Sequence, residues 1–105
     1  MSDNSFPHDS FKDALAANDQ YIKTFKYSEL TGIAQQGLAI VTCMDSRINP
    51  LSVVGMKSGD AKILRNAGAR VTDDVLRTLV LATYLLGVQR ILIILHSGRG
   101  KDWER

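Results

Sequence analysis

The sequence predicts an α/β fold in which a parallel β-sheet forms the core and helices flank it. Helical and strand-like segments alternate along the chain in the order helix, strand, short helix, strand, helix, strand. The strand-like segments are short, continuous apolar runs, which are typical of strands covered on both faces. This alternation favours a parallel sheet with right-handed crossovers. A length of 105 residues suits one small domain, so residues 1–105 are predicted to form a single unit.

The composition indicates a globular protein and argues against several other classes. The chain is 45% hydrophobic and 23% charged, and its net charge of +2 comes without a basic cluster for nucleic acid. Its longest apolar run, residues 91–95, is too short to cross a bilayer. The one cysteine, Cys43, excludes an intramolecular disulfide and favours a reducing compartment. We therefore predict a cytoplasmic protein without nucleic-acid or membrane partners.

The first helix is predicted over residues 10–25, after a loose tail formed by residues 1–9. Asp9 or Ser10 is suited to cap it. Apolar side chains recur along it at helical spacing, which predicts contact with the core or with a partner subunit. The members of this apolar stripe are Phe11, Leu15, Ile22 and Phe25.

Two strands and a short helix are predicted in the middle of the chain. Residues 38–42 form a β-branched apolar run that ends at Cys43 and reads as a buried strand. Asn49 is suited to cap a short helix over residues 50–54, because proline is favoured at the first helical position. A second strand is predicted over residues 61–65.

The last helix and the last strand have the clearest signals. Thr72 can cap the helix, and Asp73 and Asp74 lie in its first turn, where the helix dipole favours negative charge. Gly87 ends it, and residues 91–95 are predicted as a continuous strand covered on both faces. The apolar stripe of the helix consists of Val75, Leu79, Ala82 and Leu86, widened by Leu76, Val80 and Leu85.

Three groups of chemically distinctive residues directly follow or end the three strands. They are Cys-Met-Asp-Ser-Arg at 43–47, Arg-Asn-Ala-Gly at 65–68 and His-Ser-Gly-Arg-Gly at 96–100. The carboxyl ends of parallel strands meet at one edge of the sheet, and binding sites form there. Their common location is therefore stronger evidence for a site than any one of the short motifs.

Cys43 and His96 supply the sulfur and nitrogen donors that zinc prefers. Asp45 and Arg47 alternate with Cys43, so an extended segment would project all three side chains to one side. Beside Arg47, the Asp45 carboxylate would stay ionised and could orient a hydrogen-bonded partner.

Each of these residues also has a purely structural interpretation. Cys43 can be a small core residue, and His96 can bond to the backbone at a strand end. Asp45 and Arg47 can form a loop ion pair, and Gly68 can occupy a turn that needs a positive φ. Taken singly, each residue favours the structural interpretation, whereas the common location of all of them favours a site.

Taken in order, the three motifs resemble those of the zinc-dependent β-class carbonic anhydrases. The resemblance covers residues 42–98 and rests on C-x-D-x-R from Cys43, R-N-A-G from Arg65 and the late His96. The resemblance implies the fold of that family, a Zn²⁺ cofactor and the hydration of carbon dioxide to bicarbonate, which is a lyase reaction. It also implies a homodimer or a higher homo-oligomer.

The resemblance further implies a role for each site residue. Cys43 and His96 would be zinc ligands, and Arg47 would hold Asp45 away from the metal. In a closed state Asp45 would itself become a ligand. With Arg47 restraining it, Asp45 would accept a hydrogen bond from zinc-bound hydroxide, and Gly68 would line the substrate pocket.

The sequence departs from the family pattern at two points. The family has H-x-x-C-G at the late histidine, but Arg99 stands where the second cysteine ligand belongs. A guanidinium is protonated and has no lone pair for a metal. Family members also continue beyond this motif, so we expect that the C-terminal part is missing because the chain is a fragment, a truncated gene product or the result of a shifted reading frame near Ser97. An intact but degenerate relative stays open as an alternative, although it needs two independent changes. Activity of the chain alone is therefore doubtful on sequence grounds.

Two alternative functions stay open at this point. One is a non-catalytic oligomerisation or binding remnant that kept the fold after losing the metal. The other is a metal-free cysteine hydrolase, in which His96 would activate Cys43 as the nucleophile. The short spacing from Cys43 to Arg47 argues against a phosphate-cradling loop, which makes the hydrolase the weaker alternative.

Overall fold

The computed structural model describes residues 6–96 and 103–104, and in this part of the chain the elements follow the predicted order. A 3₁₀ turn at His8–Phe11 precedes helix α1, Lys12–Thr24. The following elements are β1 Leu38–Cys43, α2 Pro50–Val53, β2 Ala61–Asn66, α3 Asp73–Leu85 and β3 Arg90–Ile93. Two short strands come last, β4 Leu95–His96 and β5 Trp103–Glu104.

Strands β2, β1 and β3 form a parallel sheet with β1 in the middle. Leu38 of β1 lies opposite Ala61 on one side and Arg90 on the other, and Cys43 lies opposite Asn66. Ile40 at the centre of β1 is 0% exposed. The predicted α/β fold, with a parallel sheet and flanking helices, is therefore confirmed.

The core has one layer on each face of this sheet, because alternate side chains of β1 point to opposite faces. One layer joins Ala39 and Val41 to helix α3 and Val88. The other joins Leu38 and Ile40 to Ile94 and to partly buried side chains that include Leu92 and Ile63. Both layers depend on β1, which is why its apolar run is continuous rather than alternating.

Helix α3 begins and ends where the sequence predicts. The Thr72 hydroxyl accepts the N–H of Val75 at 3.4 Å, and Gly87 follows the helix with a φ of 78°. Val75, Leu79 and Ala82 are buried against the sheet as expected. The predicted widening of this stripe is wrong for the described residues. The three residues expected to widen the stripe are exposed instead of buried against the sheet. Their exposed fractions are 54% for Leu76, 49% for Val80 and 66% for Leu85.

The last predicted strand, 91–95, is shorter and less covered than expected. Strand β3 ends at Ile93, and the backbone remains paired to β1 for one further residue through the Ile94 N–H, which donates to Val41 O at 2.9 Å. Leu95 and His96 then pair with Trp103–Glu104 in an antiparallel ladder. Because β3 is an outer strand of the described sheet, Ile91 is 47% exposed rather than covered on both faces.

Helix α1 begins later than predicted and makes no core. It starts at Lys12 without a side-chain cap, so the capping role expected for Asp9 or Ser10 is wrong; both lie in the preceding 3₁₀ turn. None of the α1 residues is buried, and Ile22 is 63% exposed. The sequence predicts that the apolar stripe of α1 contacts either the core of this chain or a partner subunit. The prediction of contact with the core is therefore wrong. Residues 1–5 of the predicted tail lie outside the described residues.

Within the described ranges, no helix is both long enough and apolar enough to cross a membrane.

Candidate metal centre

The chain turns sharply after β1, and this turn determines how the polar side chains meet. The Ile48 N–H donates to Asp45 O at 3.2 Å, so Ser46 and Arg47 lie in a turn rather than in an extended segment. The Asp45 carboxylate accepts the backbone N–H of Arg47 at 2.9 Å. The strand-like alternation expected from the sequence is therefore wrong, and a side-chain-capped turn brings the two residues together. We refer to residues 43–47 as the Cys43 loop.

Asp45 and Arg47 form a two-pronged ion pair. Arg47 donates from Nε to Asp45 Oδ1 at 3.0 Å and from Nη2 to Oδ2 at 2.5 Å. The Asp45 side chain is 14% exposed and that of Arg47 is 56% exposed. These hydrogen bonds, followed by the charge of Asp45, raise the pKa of Arg47 above its ordinary value. The guanidinium therefore stays charged and fixes the carboxylate in one orientation.

The Cys43 thiol lies beside this pair at the wall of a small cavity. Its Sγ accepts the backbone N–H of Asp45 at 3.3 Å, and the residue is half-buried. The cavity has a volume of about 60 Å³, and its other lining residues are Gly68, Ala69 and Leu95. The thiol, the pocket glycine and the segment that leads into His96 therefore meet at the carboxyl edge of the sheet, as the parallel order predicts.

The loop that carries Gly68 is held in place by Asn66. The Asn66 side chain accepts the Arg70 N–H and donates to Arg70 O, both at 2.8 Å. Gly68 has a φ of 90°, and a Cβ there would lie 3.3 Å from Arg70 Nε. Ala69 is buried with a φ of 56°, a conformation that costs a non-glycine residue about 1–2 kcal/mol. The surrounding bonds hold this backbone against that cost.

Sequence reasoning missed one residue of the site, Arg65. Its side chain donates from Nε to Cys43 O at 2.9 Å and from Nη2 to Asp45 O at 2.7 Å. Arg-Asn-Ala-Gly at 65–68 is among the distinctive groups of the sequence, but a role is predicted for Gly68 alone. No local sequence signal indicates this contact, because it depends on the register that sets Asn66 opposite Cys43 and thereby lets the Arg65 side chain reach the loop beyond β1.

His96 lies directly after Leu95, so its backbone is at the edge of the cavity. The His96 side chain and residues 97–102 lie outside what the structure describes, so the expected positions of the imidazole and of Arg99 are not among the described contacts. Within the described ranges, no group of three or more histidine, cysteine, aspartate or glutamate residues could hold a metal ion.

The donor chemistry fits zinc at two positions and fails at a third. Cys43 offers a half-buried sulfur on a wall otherwise formed by glycine, alanine and leucine, and His96 offers an imidazole nitrogen. Asp45 can add an oxygen only by leaving Arg47. Arg99 has no lone pair to donate. A structural zinc site needs four protein ligands and a catalytic one needs three, so the set is short by at least one.

Comparison with known proteins identifies the family. The family model described as carbonic anhydrase matches residues 38–101, which contain all the site residues discussed above and Arg99. Together with the curated relatives, this match shows that the chain belongs to the β-carbonic anhydrase family.

The proteins that this chain resembles include carbonic anhydrases and carbon disulfide hydrolases. β-Carbonic anhydrase 1 of Mycobacterium tuberculosis is 41% identical over 88 residues, which are 84% of this chain and 53% of that protein. The crystal structure of carbonic anhydrase from Streptococcus mutans superimposes with a TM-score of 0.77 at 42% identity, covering 84% of this chain and 53% of that one. A carbon disulfide hydrolase of Saccharolobus solfataricus is 43% identical over 63 residues, 60% of this chain and 31% of that protein. The chain thus spans about half the length of the first two relatives.

Proposed function

We propose that the Cys43 loop, Gly68 and His96 are parts of a zinc site that hydrates carbon dioxide to bicarbonate. The observation that carries this proposal is the arrangement of the loop. Arg47 fixes the Asp45 carboxylate with two hydrogen bonds, while the Asp45 N–H donates to the Cys43 sulfur at the cavity wall. In the chain as it stands, Arg99 replaces a ligand, so we expect weak zinc binding and little turnover.

Each residue has a specific task in this proposal. Cys43 and His96 would hold the zinc ion, which would supply a water with a pKa of about 7 and hence a nucleophile at neutral pH. Asp45 would accept a hydrogen bond from that nucleophile, and Arg47 keeps the carboxylate oriented for it. Gly68 leaves room in a cavity whose apolar wall and small volume suit a small, uncharged, linear molecule.

Carbon disulfide is the closest competing substrate. It is also linear and triatomic, and carbon disulfide hydrolases resemble this chain over 60% to 87% of its length. Carbon dioxide is the better-supported substrate, because a β-carbonic anhydrase is 41% identical over 84% of the chain, whereas a carbon disulfide hydrolase that matches 87% of the chain is 32% identical. Both substrates can be assayed on the same preparation, and faster turnover of carbon disulfide would reverse this assignment.

We expect Cys43→Ala to abolish the zinc that the chain retains and any carbon dioxide hydration that depends on it. The reason is that alanine removes the sulfur at the cavity wall. Zinc content after dialysis and stopped-flow hydration measure the two losses. Met44→Ala is a suitable control, because the neighbouring Met44 side chain is 65% exposed.

Other outcomes would favour the alternative functions. Zinc and hydration that survive Cys43→Ala would contradict the proposed site. A folded, zinc-free chain without hydration, even after the missing ligand is restored, would favour the non-catalytic binding remnant. A metal-independent hydrolase activity that alkylation of Cys43 destroys would favour the cysteine hydrolase.

We further propose that the chain forms a homodimer or higher homo-oligomer in which α1 packs on a second copy, and that it works in the cytoplasm. Helix α1 has 13 residues and no buried side chain, and isolated helices of this length are marginal in water. Of the apolar stripe described above, Leu15 and Ile22 lie in α1 and the two phenylalanines lie at its ends, and all four are exposed. Contact with another chain would remove them from water.

We expect Ile22→Glu to weaken this association about tenfold or more, since burial of such a side chain contributes about 1.5–3 kcal/mol. Sedimentation equilibrium over a range of concentrations measures the change. Gln20→Glu is the matched control, because helical geometry places Gln20 on the other side of α1. A wild-type chain that is monomeric at every concentration would contradict the proposal.

A further inference from the structure

The end of strand β2 holds the Cys43 loop at three successive residues. The Arg65 guanidinium donates to Cys43 O at 2.9 Å and to Asp45 O at 2.7 Å. Between these two carbonyls, the Met44 N–H donates to Asn66 O at 2.9 Å. The Arg65 side chain thereby extends the β1–β2 ladder beyond the last residues that pair through their backbones.

The two carbonyls that Arg65 contacts belong to residues with proposed tasks at the zinc site. Cys43 carries the thiol at the cavity wall, and Asp45 carries the carboxylate that Arg47 holds. A carbonyl fixes the peptide plane that follows it, so the bond to Cys43 O orients the Met44 peptide and the bond to Asp45 O orients the peptide that enters the turn. One guanidinium therefore holds the backbone at both residues, and at Asp45 it does so together with the Ile48 N–H.

The chemistry of this contact requires arginine. A guanidinium presents several donors in a rigid planar fork, so Nε and Nη2 can reach two carbonyls at the same time. A lysine ammonium is a compact charge on a flexible stem and would reach one carbonyl well. Arg65 is itself exposed and lines no part of the cavity, so it acts through the backbone rather than by touching substrate.

We propose that Arg65 is a positioning residue, which sets the direction of the Cys43 thiol and the Asp45 carboxylate by clamping the carbonyls of both residues. This inference rests on the proposed zinc site for its functional meaning, but the clamp itself is a property of the metal-free chain. Removing a residue that holds a metal ligand in position typically lowers the metal affinity by about 10–100-fold.

The test compares Arg65→Met, Arg65→Lys and Arg90→Met in the full chain. Methionine keeps an unbranched side chain but removes every donor. Arg90 is the matched control, because its Nη2 also donates to a backbone carbonyl, Gln36 O at 3.3 Å, but Arg90 lies at the amino end of β3. Amide hydrogen exchange of the metal-free chain reports on the loop, and zinc titration of the same variants combined with Arg99→Cys reports on the site.

We expect Arg65→Met to accelerate exchange at the Met44, Asp45 and Arg47 amides about tenfold or more, as expected for the loss of charge-assisted hydrogen bonds. The Ile40 amide should be unchanged. Zinc affinity should fall about 10–100-fold. Arg65→Lys should show smaller changes than Arg65→Met in both loop exchange and zinc affinity. Arg90→Met should change neither.

Three results separate this inference from the proposed function. Unchanged loop exchange in Arg65→Met overturns the clamp, whether or not zinc binds. Exchange that accelerates equally at Ile40 also overturns it, since Arg65 would then act on stability alone. Selective acceleration in the loop of a chain that never binds zinc supports the clamp and contradicts the zinc site.

Discussion

Arg99→Cys is expected to raise the zinc affinity of the chain about 100- to 1,000-fold. The substitution removes a positive charge from the position where the family has a ligand and supplies a thiolate. Two unit charges about 4 Å apart interact by about 4 kcal/mol at an effective dielectric constant near 20, and each 1.4 kcal/mol is about a tenfold change in affinity. Competition against a chelator of known affinity measures the change.

Arg99→Ser separates the two causes. Serine removes the charge without supplying a thiolate, so we expect the serine variant to bind zinc more tightly than the chain with Arg99 and less tightly than the cysteine variant. Equal affinities of the serine and cysteine variants would show that repulsion, rather than the absent ligand, weakens binding. If Arg99→Cys leaves zinc binding unchanged in a folded chain, our account of the missing ligand is wrong. A gain in zinc affinity should also bring measurable carbon dioxide hydration.

The largest expected effect on folding is that of Ile40→Ala, which should lower the free energy of unfolding by about 2–5 kcal/mol. Ile40 is 0% exposed at the centre of β1 and belongs to the layer that includes Leu38 and Ile94. Truncation would leave a cavity in this layer, on one face of a strand that is paired on both sides. Small domains have a total free energy of unfolding of about 5–15 kcal/mol, so the substitution should remove a large fraction of the stability.

Ile91→Ala is the matched control, because it removes the same atoms from the neighbouring strand β3 at a side chain that is 47% exposed. We expect a loss of less than about 1 kcal/mol there, since surface substitutions usually change stability little. Urea denaturation of both variants at one protein concentration measures the difference. Equal losses would show that β1 is not the centre of the core.

The sequence predicts the parts of this protein that depend on local signals and on strand order. The continuous apolar run that ends at Cys43 predicts a central strand, and Thr72 and Gly87 predict the bounds of α3 to within one residue. The parallel order also places Cys43 and Gly68 at one edge, where both line the same cavity. These predictions succeed because they need only backbone periodicity, caps and the direction of the strands.

The features that sequence reasoning missed depend on contacts between distant segments. The Arg65 side chain reaches the Cys43 loop only because β2 pairs with β1 in one register. The exposure of Leu76 and Ile91 depends on which segments pack against α3 and β3. Sequence periodicity shows that a face is apolar, but it does not show which segment covers that face. The Asp45–Arg47 pair was expected from alternation, but a side-chain-capped turn produces it.

The pairing of β1 has a consequence for how the protein folds. Leu38 of β1 pairs with Ala61 of β2 and with Arg90 of β3. Within the described sheet, each of these two strand pairings closes a crossover that contains at least one helix. Closing such loops costs entropy before any strand contact is gained, so domains of this topology fold slowly. The β1–β2 crossover is the shorter one, and we expect it to close first. The cavity between Cys43 and Leu95 then forms only when β3 joins, so this cavity should be among the last parts of the molecule to form.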